Sequence, residues 1–270
     1  MMLEKLVIFD YSGTLSLDAV SFGEDENLTG ELERSGLAAL GVADPETFWK
    51  EIVNPAWQEG STTSIGYTEL IYRRIRENLP PTVSDNKIRL NAERFVDSYL
   101  RHSPIDSRWC SILQKLNREA SVVTIIATDH YAEATGYIVR YLDEIGVGSA
   151  PLKDAPAAFP SSCIVANSAD LGAHKVDQGF WEMVKSVLGL NTIRSALIVD
   201  DFGYNEEAGD SYADRRKVED RKRKTIGLLE GIFDVPVYAI PFILTRKDEK
   251  TCGDLISQAS LKIEQYLCEK

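Results

Sequence analysis

The chain has 270 residues, 42 of them Asp or Glu against 30 Lys or Arg, for a formal net charge of −12. That length buries one large core with room for an insertion, and the acidic balance argues against a nucleic-acid partner, because phosphate backbones need clustered Lys and Arg. Four scattered cysteines, Cys110, Cys163, Cys252 and Cys268, lack zinc or redox spacing and read as reduced thiols, and no apolar stretch approaches the roughly 20 residues that span a bilayer, so no membrane partner is expected.

The first residues, Met-Met-Leu-Glu-Lys, lead directly into an apolar run with no room for a signal peptide, which makes a cytoplasmic location the expectation. Residues 6–16 read Leu-Val-Ile-Phe-Asp-Tyr-Ser-Gly-Thr-Leu-Ser. The apolar part is short and β-branched, stops at Asp10 and turns through Gly13 and Thr14, as a strand inside a covered parallel sheet does. Ligands gather beyond the carboxyl ends of such strands, where Asp10 falls. An Asp in that place also serves simply to start a turn or cap a helix.

The next comparable strand, 122–127, ends at Thr128, much farther on than the about 30 residues that a strand-helix-strand unit needs. The intervening segment, 17–106, has little strand character. Helices are predicted over 31–40, 45–53, 67–78 and 84–101, the last carrying Ile88, Leu90, Phe95, Val96, Tyr99 and Leu100, and their apolar faces would pack as a small bundle. A helix through Leu113 and Leu116 leads back to the strand at 122–127. An amphipathic helix over 132–145 follows and ends at Gly146 and Gly148.

Ile164 and Val165 form a short strand. Asp170-Leu-Gly-Ala-His-Lys175 precedes a helix over 179–188, and Ser195-Ala-Leu-Ile-Val-Asp-Asp201 closes a strand on two adjacent carboxylates. Residues 206–224 interleave acids and bases at helical spacing and read as a solvated face, and a last strand covers 235–240. This alternation predicts an α/β fold with a doubly wound, Rossmann-like parallel sheet and an inserted α-helical segment. Singly, Thr128 and Lys175 are ordinary strand-end and helix-start residues. The Asp200-Asp201 pair is not, since adjacent like charges repel unless a cation compensates them.

In this order the four segments resemble the motifs of the haloacid dehalogenase superfamily: Asp10-Tyr-Ser-Gly-Thr14 the first, Thr128 the second, Lys175 the third, and Asp200-Asp201 the fourth. The resemblance spans nearly the whole chain. It implies a catalytic core of residues 1–16 and 107–270, with 17–106 a helical cap over the catalytic face, and capped members act mainly on small molecules. It implies that Asp10 attacks phosphorus and becomes an aspartyl phosphate, and that Mg²⁺ is held by Asp10, the Ser12 backbone carbonyl, and Asp200 or Asp201. Lys175 and Thr128 then hold the phosphoryl oxygens. Glu206 or Asn205 is a candidate further group near the metal.

Ser12 is the main departure, because phosphatases of the family carry a second aspartate there as general acid and base. General acid–base help is worth about 10² to 10⁴ in rate, so serine predicts a slow phosphatase unless the leaving group needs no proton. Two alternatives stand beside a phosphatase of a small phosphorylated metabolite. A phosphonatase-like enzyme would use a cap lysine, for which Lys50 is the candidate. A binding or regulatory protein would keep the pocket without turnover. The dehalogenase pattern fits less well, because its aromatic residue belongs at position 12 and Tyr11 is one residue early. Trp57, Tyr67, Tyr72 and Arg73 are unranked candidates for substrate contact, and the sequence does not give the oligomeric state.

Overall fold

A computed structural model describes residues 3–78, 83–155 and 163–269. Six parallel strands, β1 (Lys5–Phe9), β2 (Val122–Thr128), β3 (Ser149–Pro151), β4 (Cys163–Asn167), β5 (Ser195–Asp200) and β6 (Val237–Pro241), form one sheet in the order β3-β4-β2-β1-β5-β6. In register, Phe9 of β1 sits between Ile126 of β2 and Val199 of β5. The chain leaves β1 toward β2 and leaves β5 toward β6 on the opposite side. The carboxyl ends of β1 and β5 therefore flank the switch point where open α/β sheets bind ligands.

Side-chain alternation explains why the central strands read as unbroken apolar runs. Val7 and Phe9 of β1 point into one apolar cluster and Leu6 and Ile8 into the other, and β5 divides in the same way, with Leu197 and Val199 opposite Ala196 and Ile198. Both faces are thus covered. The helices Gln178–Leu188 and Arg215–Phe233 supply Phe180, Trp181, Val218 and Leu229 to the second cluster.

Among the described residues, every regular element between β1 and β2 is helical. Phe22, Phe48, Ile71 and Phe95 of this insert share one continuous apolar cluster with the first face of the sheet. Helices predicted over 67–78 and 84–101 are found at Tyr67–Asn78 and Asp85–Arg101. The helix expected over 31–40 instead spans Asp25–Ser35 and stops at Gly36, whose φ of 87° leaves the helical region, with a 3₁₀ turn at Ala38–Leu40. Asp44 caps the next helix by accepting a hydrogen bond from Thr47 N (2.8 Å), and the chain then passes through a π-helix, Phe48–Val53, into Asn54–Ser61.

Within that last helix Gly60 makes a close approach. A Cβ there would lie 2.3 Å from Leu70 Cδ1 and 2.6 Å from Tyr131 Cε1.

Several elements have no counterpart in the sequence reading, among them the helices Asp18–Phe22, Asn54–Ser61 and Ser168–Leu171, the three-residue β3, too short to leave an alternating signal and ending in Pro151, and the C-terminal helix Glu249–Cys268. The charge-dense stretch becomes a loop followed by the helix Arg215–Phe233, and Arg221 turns inward rather than joining a solvated face. Its guanidinium donates to Phe202 O (2.6 Å) and Tyr212 O (3.1 Å) and stacks on the Tyr212 ring. No helix among the described residues is long and apolar enough to cross a membrane.

Candidate active site

The site begins with the turn after β1. Asp10 N donates to Val199 O (2.9 Å), which fixes the residue against the end of β5, and Ser16 N donates to Tyr11 O (2.8 Å) to close the turn. Gly13 has φ +71°, and a Cβ on it would sit 2.8 Å from Asp201 Oδ2, so both backbone and space demand glycine there. Thr14 Oγ1 accepts from Asp201 N (3.1 Å) and ties the turn to the second acidic strand end.

Lys175 reaches the same point from the loop before the helix Gln178–Leu188. Its carbonyl accepts from Trp181 Nε1 (2.7 Å) and its N–H donates to Asp129 Oδ1 (2.9 Å). The ammonium, on a residue only 2% exposed, lies 2.6 Å from Asp10 Oδ1 and 2.8 Å from Asp200 Oδ2.

Asp10, Asp200 and Asp201 each offer an oxygen within 4.8 Å of the others, and all three are buried. Three carboxylates face one lysine, an excess of negative charge that burial makes more costly. Burial, opposed by Lys175 and reinforced by Asp200 and Asp201, raises Asp10 well above the carboxylate range. Burial, then Glu206 and Asp200, push Asp201 up to about 8. Burial alone would lower the Lys175 ammonium, but Asp10 and Asp200 more than offset it and hold the charge in place. An all-oxygen donor set with unmatched negative charge fits a hard divalent cation such as Mg²⁺.

Ser12 donates its hydroxyl to Glu206 Oε1 (2.9 Å). Burial first, then Asp210, pushes Glu206 up to about 8 against the help of that hydroxyl. Asn205 does not compete with Glu206 for a place near the acids. Its side chain donates to Gly13 O (2.7 Å) and Phe242 O (2.8 Å) and accepts from Leu244 N (2.9 Å), a clasp between loops.

Asp10, Ser12, Thr128 and Glu206 line one end of a cavity of about 80 Å³, space for a few waters or one small organic group. Thr128 is the last residue of β2 and 1% exposed. The other end is aromatic: Trp49, Trp57, Tyr67, Tyr99, Tyr131 and Tyr212 line it. Tyr67 and Tyr131 stack with ring centroids 3.8 Å apart, and Trp57 meets Tyr131 and Tyr212 edge-on at 5.4 and 5.6 Å.

Of the unranked candidates, Trp57 and Tyr67 therefore face the cavity. Tyr72 instead stacks under Arg89, and Arg73 pairs with Glu59 and Glu69 near the surface. Lys50 is outside the site: its side chain is 72% exposed, 3.9 Å from Glu51, on the outer side of the π-helix. That placement removes the support for imine chemistry with a cap lysine. Tyr11 is also outside, fully buried with its hydroxyl donated to Ser103 O.

Several residues near the site were not singled out in the sequence. Asp129 follows Thr128 directly and orients both Lys175 N and the Tyr212 hydroxyl (3.0 Å). His130 accepts from Tyr131 N through Nδ1 (2.8 Å), which leaves Nε2–H to meet the Tyr99 hydroxyl (3.1 Å), and burial pushes its pKa down to about 4. His174 Nε2 meets Ser61 Oγ at 2.7 Å and joins the insert to the core beside Lys175. Adjacency to Thr128 and Lys175 was the available signal for all three.

No protein-family model and no curated protein matches the chain. Solved structures do. One is the 2-haloacid dehalogenase from Pseudomonas syringae pv. tomato DC3000, at 18% identity over 79% of this chain and 85% of that one, with a TM-score of 0.46. A second, described as a predicted HAD-like family hydrolase from Porphyromonas gingivalis, is 13% identical over the whole of both chains, with a TM-score of 0.45. A third, the HAD-hydrolase YfnB from Bacillus subtilis bound to magnesium, is 14% identical over 78% of this chain and 86% of that one, with a TM-score of 0.42. These three solved structures are ones that the chain is similar to, and its four motifs separately resemble those of the haloacid dehalogenase superfamily.

Proposed function

We propose that the chain is a Mg²⁺-dependent phosphohydrolase of the haloacid dehalogenase superfamily, acting on a small phosphomonoester, with residues 17–106 as a cap over the site. The observation that carries this reading is a buried acid, Asp10, held 2.6 Å from the Lys175 ammonium and lining a small cavity. Asp10, the Ser12 carbonyl and Asp200 or Asp201 would hold the cation, which when bound would supply positive charge near the phosphoryl oxygens.

Asp10 forms a P–O bond as the ester P–O bond breaks, and the departing alkoxide takes a proton to leave as the alcohol. Water then cleaves the acyl phosphate, releasing inorganic phosphate and restoring Asp10. Lys175 neutralises charge on the nucleophile and the transferring group, and Thr128 orients a phosphoryl oxygen. Ser12 has no proton to exchange near neutral pH. Glu206, which lines the cavity, takes the Ser12 hydroxyl at 2.9 Å and is raised to about 8, would give the leaving oxygen that proton and recover one from the attacking water. The surrounding insert excludes water from the nucleophile.

The test is phosphate release from a panel of phosphomonoesters, with Mg²⁺ or with chelator, for the native protein and Asp10→Asn. Metal-dependent release that vanishes in the variant is the expected result. No release from a folded, metal-loaded protein, with beryllofluoride failing to bind at Asp10, would leave a binding protein instead.

A further inference from the structure

His130, from the core, and Tyr99, from the insert, meet on the cavity wall. His130 comes just after Thr128 and is fixed at its backbone, where its N–H donates to Ser168 Oγ (3.1 Å). Its ring accepts from Tyr131 N at Nδ1 (2.8 Å), so Nδ1 carries no proton, and burial, which pushes the ring down to about 4, keeps it neutral. The one ring proton therefore sits on Nε2 and is donated to the Tyr99 oxygen, 3.1 Å away.

A tyrosine hydroxyl that accepts from a histidine still has its own proton to give. The Tyr99 hydroxyl makes no other hydrogen bond among the described residues. Burial first, then Glu206, raises it well above the ordinary phenol range, so it stays protonated, and Glu206 is the carboxyl whose charge acts on it most. Its oxygen is held in place by packing. Tyr99 lies on the helix Asp85–Arg101, edge-on against Phe22 and Tyr67 with ring centroids 5.1 and 6.3 Å away, and within 22° of parallel to His130. A fixed donor on a cavity wall, with no acceptor in the chain, calls for an acceptor on the ligand.

Resting on the phosphohydrolase reading, we infer that Tyr99 is a specificity residue: its hydroxyl, oriented by His130, donates a hydrogen bond to a neutral oxygen carried by the alcohol part of the substrate. Such a donor selects against an alcohol with a methyl group in that place, because the donor's proton then goes unpaired away from water. The small cavity leaves room for a short alcohol, which puts the oxygen within a few atoms of the ester. The insert supplies the donor and the core supplies the histidine that aims it, so the choice of substrate depends on both parts together.

The discriminating pair is hydroxyethyl phosphate and propyl phosphate, which carry a hydroxyl and a methyl group at the end of the same short chain. The native protein with Mg²⁺ is expected to favour the hydroxyethyl ester by about tenfold or more in kcat/KM. Tyr99→Phe removes one oxygen and should bring that ratio toward one. His130→Asn, too short to reach Tyr99, should lower the same ratio by a smaller factor and is the second variant if the first does not fold. A ratio resists generic damage, which affects both esters alike. An equal loss on both esters in Tyr99→Phe would direct the proton to the phosphoryl group and overturn the inference.

Calorimetric titration of the Mg²⁺-loaded Asp10→Asn protein with the two esters, with and without Tyr99→Phe, separates this inference from the reading that it rests on. A preference for the hydroxyethyl ester that depends on Tyr99, without turnover of either ester by the native protein, would keep the donor and sink the hydrolase. Turnover of both esters with equal kcat/KM would keep the hydrolase and overturn the donor. Binding of neither ester, or a preference that survives Tyr99→Phe, would also overturn the donor.

Discussion

At one end of the cavity three carboxylates and a lysine are gathered from strand ends and a loop that lie far apart in sequence, and each is fixed by backbone hydrogen bonds of 2.6 to 3.1 Å, such as Phe202 N to Asp200 Oδ1 and Asp201 N to Thr14 Oγ1. At the other end, aromatic rings from the insert and the core meet through faces and edges, and scattered polar ties, such as Ser61 to His174 and Tyr99 to His130, join the two parts. Asn54 exchanges hydrogen bonds with Gly209 O and Ser211 N (3.2 and 3.0 Å), and Glu133 accepts from Tyr67 N (2.9 Å). The first end is built to hold charge in one geometry, and the second to hold shape. Chemistry should therefore respond to single atoms at the first end, and selectivity to surface area at the second.

The largest effect expected from this contrast is at Asp10. Asp10→Asn should reduce phosphate release on the order of 10⁴-fold or more while leaving a folded protein, as seen by circular dichroism. Glu206→Gln should lower kcat by about 10² to 10⁴ for alkyl phosphates. With p-nitrophenyl phosphate, whose leaving group needs no proton, the loss should nearly disappear. An equal loss on both substrates would remove Glu206 from proton transfer.

At the aromatic end, Trp57→Leu should raise KM about tenfold with a smaller change in kcat, since it removes contact that is made before and during reaction alike. A kcat effect as large as that of Glu206→Gln would erase the distinction between the two ends.

Stability offers a smaller, pH-dependent test. Asp201 and Glu206 have folded values near 8, above their unfolded values, so their contribution is present at low pH and lost as pH rises through about 8. Metal-free protein should melt at progressively lower temperature between about pH 5 and 8 and level off above, and Mg²⁺ should restore most at the alkaline end, because it stabilises the ionised cluster. A melting temperature independent of pH and Mg²⁺ would mean that the acids are not held together as described. The smallest effect should come from Lys50→Ala, an exposed side chain, with activity unchanged within about twofold.

The two ends also differ in how far the sequence revealed them. Asp10, Thr128, Lys175, Asp200 and Asp201 announce themselves because each terminates a buried apolar run or precedes a helix, so local pattern and position at the candidate site coincide. The aromatic wall has no such signal. Trp57 and Tyr72 both sit on amphipathic helices of the insert, and only the rotation of each helix in the fold decides that one lines the cavity and the other lies under Arg89. Arg221 was hidden for a similar reason, since among alternating charges nothing local marks the one that turns in to hold Phe202 O and Tyr212 O. The π-helix at Phe48–Val53 is likewise invisible to a periodicity of 3.6 residues, and it helps set which way Trp49 and Lys50 face.

Gly60 carries no charge, touches no substrate and would be passed over in any inventory of the active site. By helix propensity alone its replacement by alanine should be a gain of about 1 kcal/mol, and its backbone is ordinary enough to accept one. The methyl group would nevertheless overlap the Tyr131 ring and Leu70, so the substitution should destabilise the protein instead and push Tyr131 toward the cavity. For the lineage that carries this gene, tolerance at position 60 is then set by the dimensions of what the cavity must admit, and a change of ligand size could be reached by drift at a residue with no part in the chemistry.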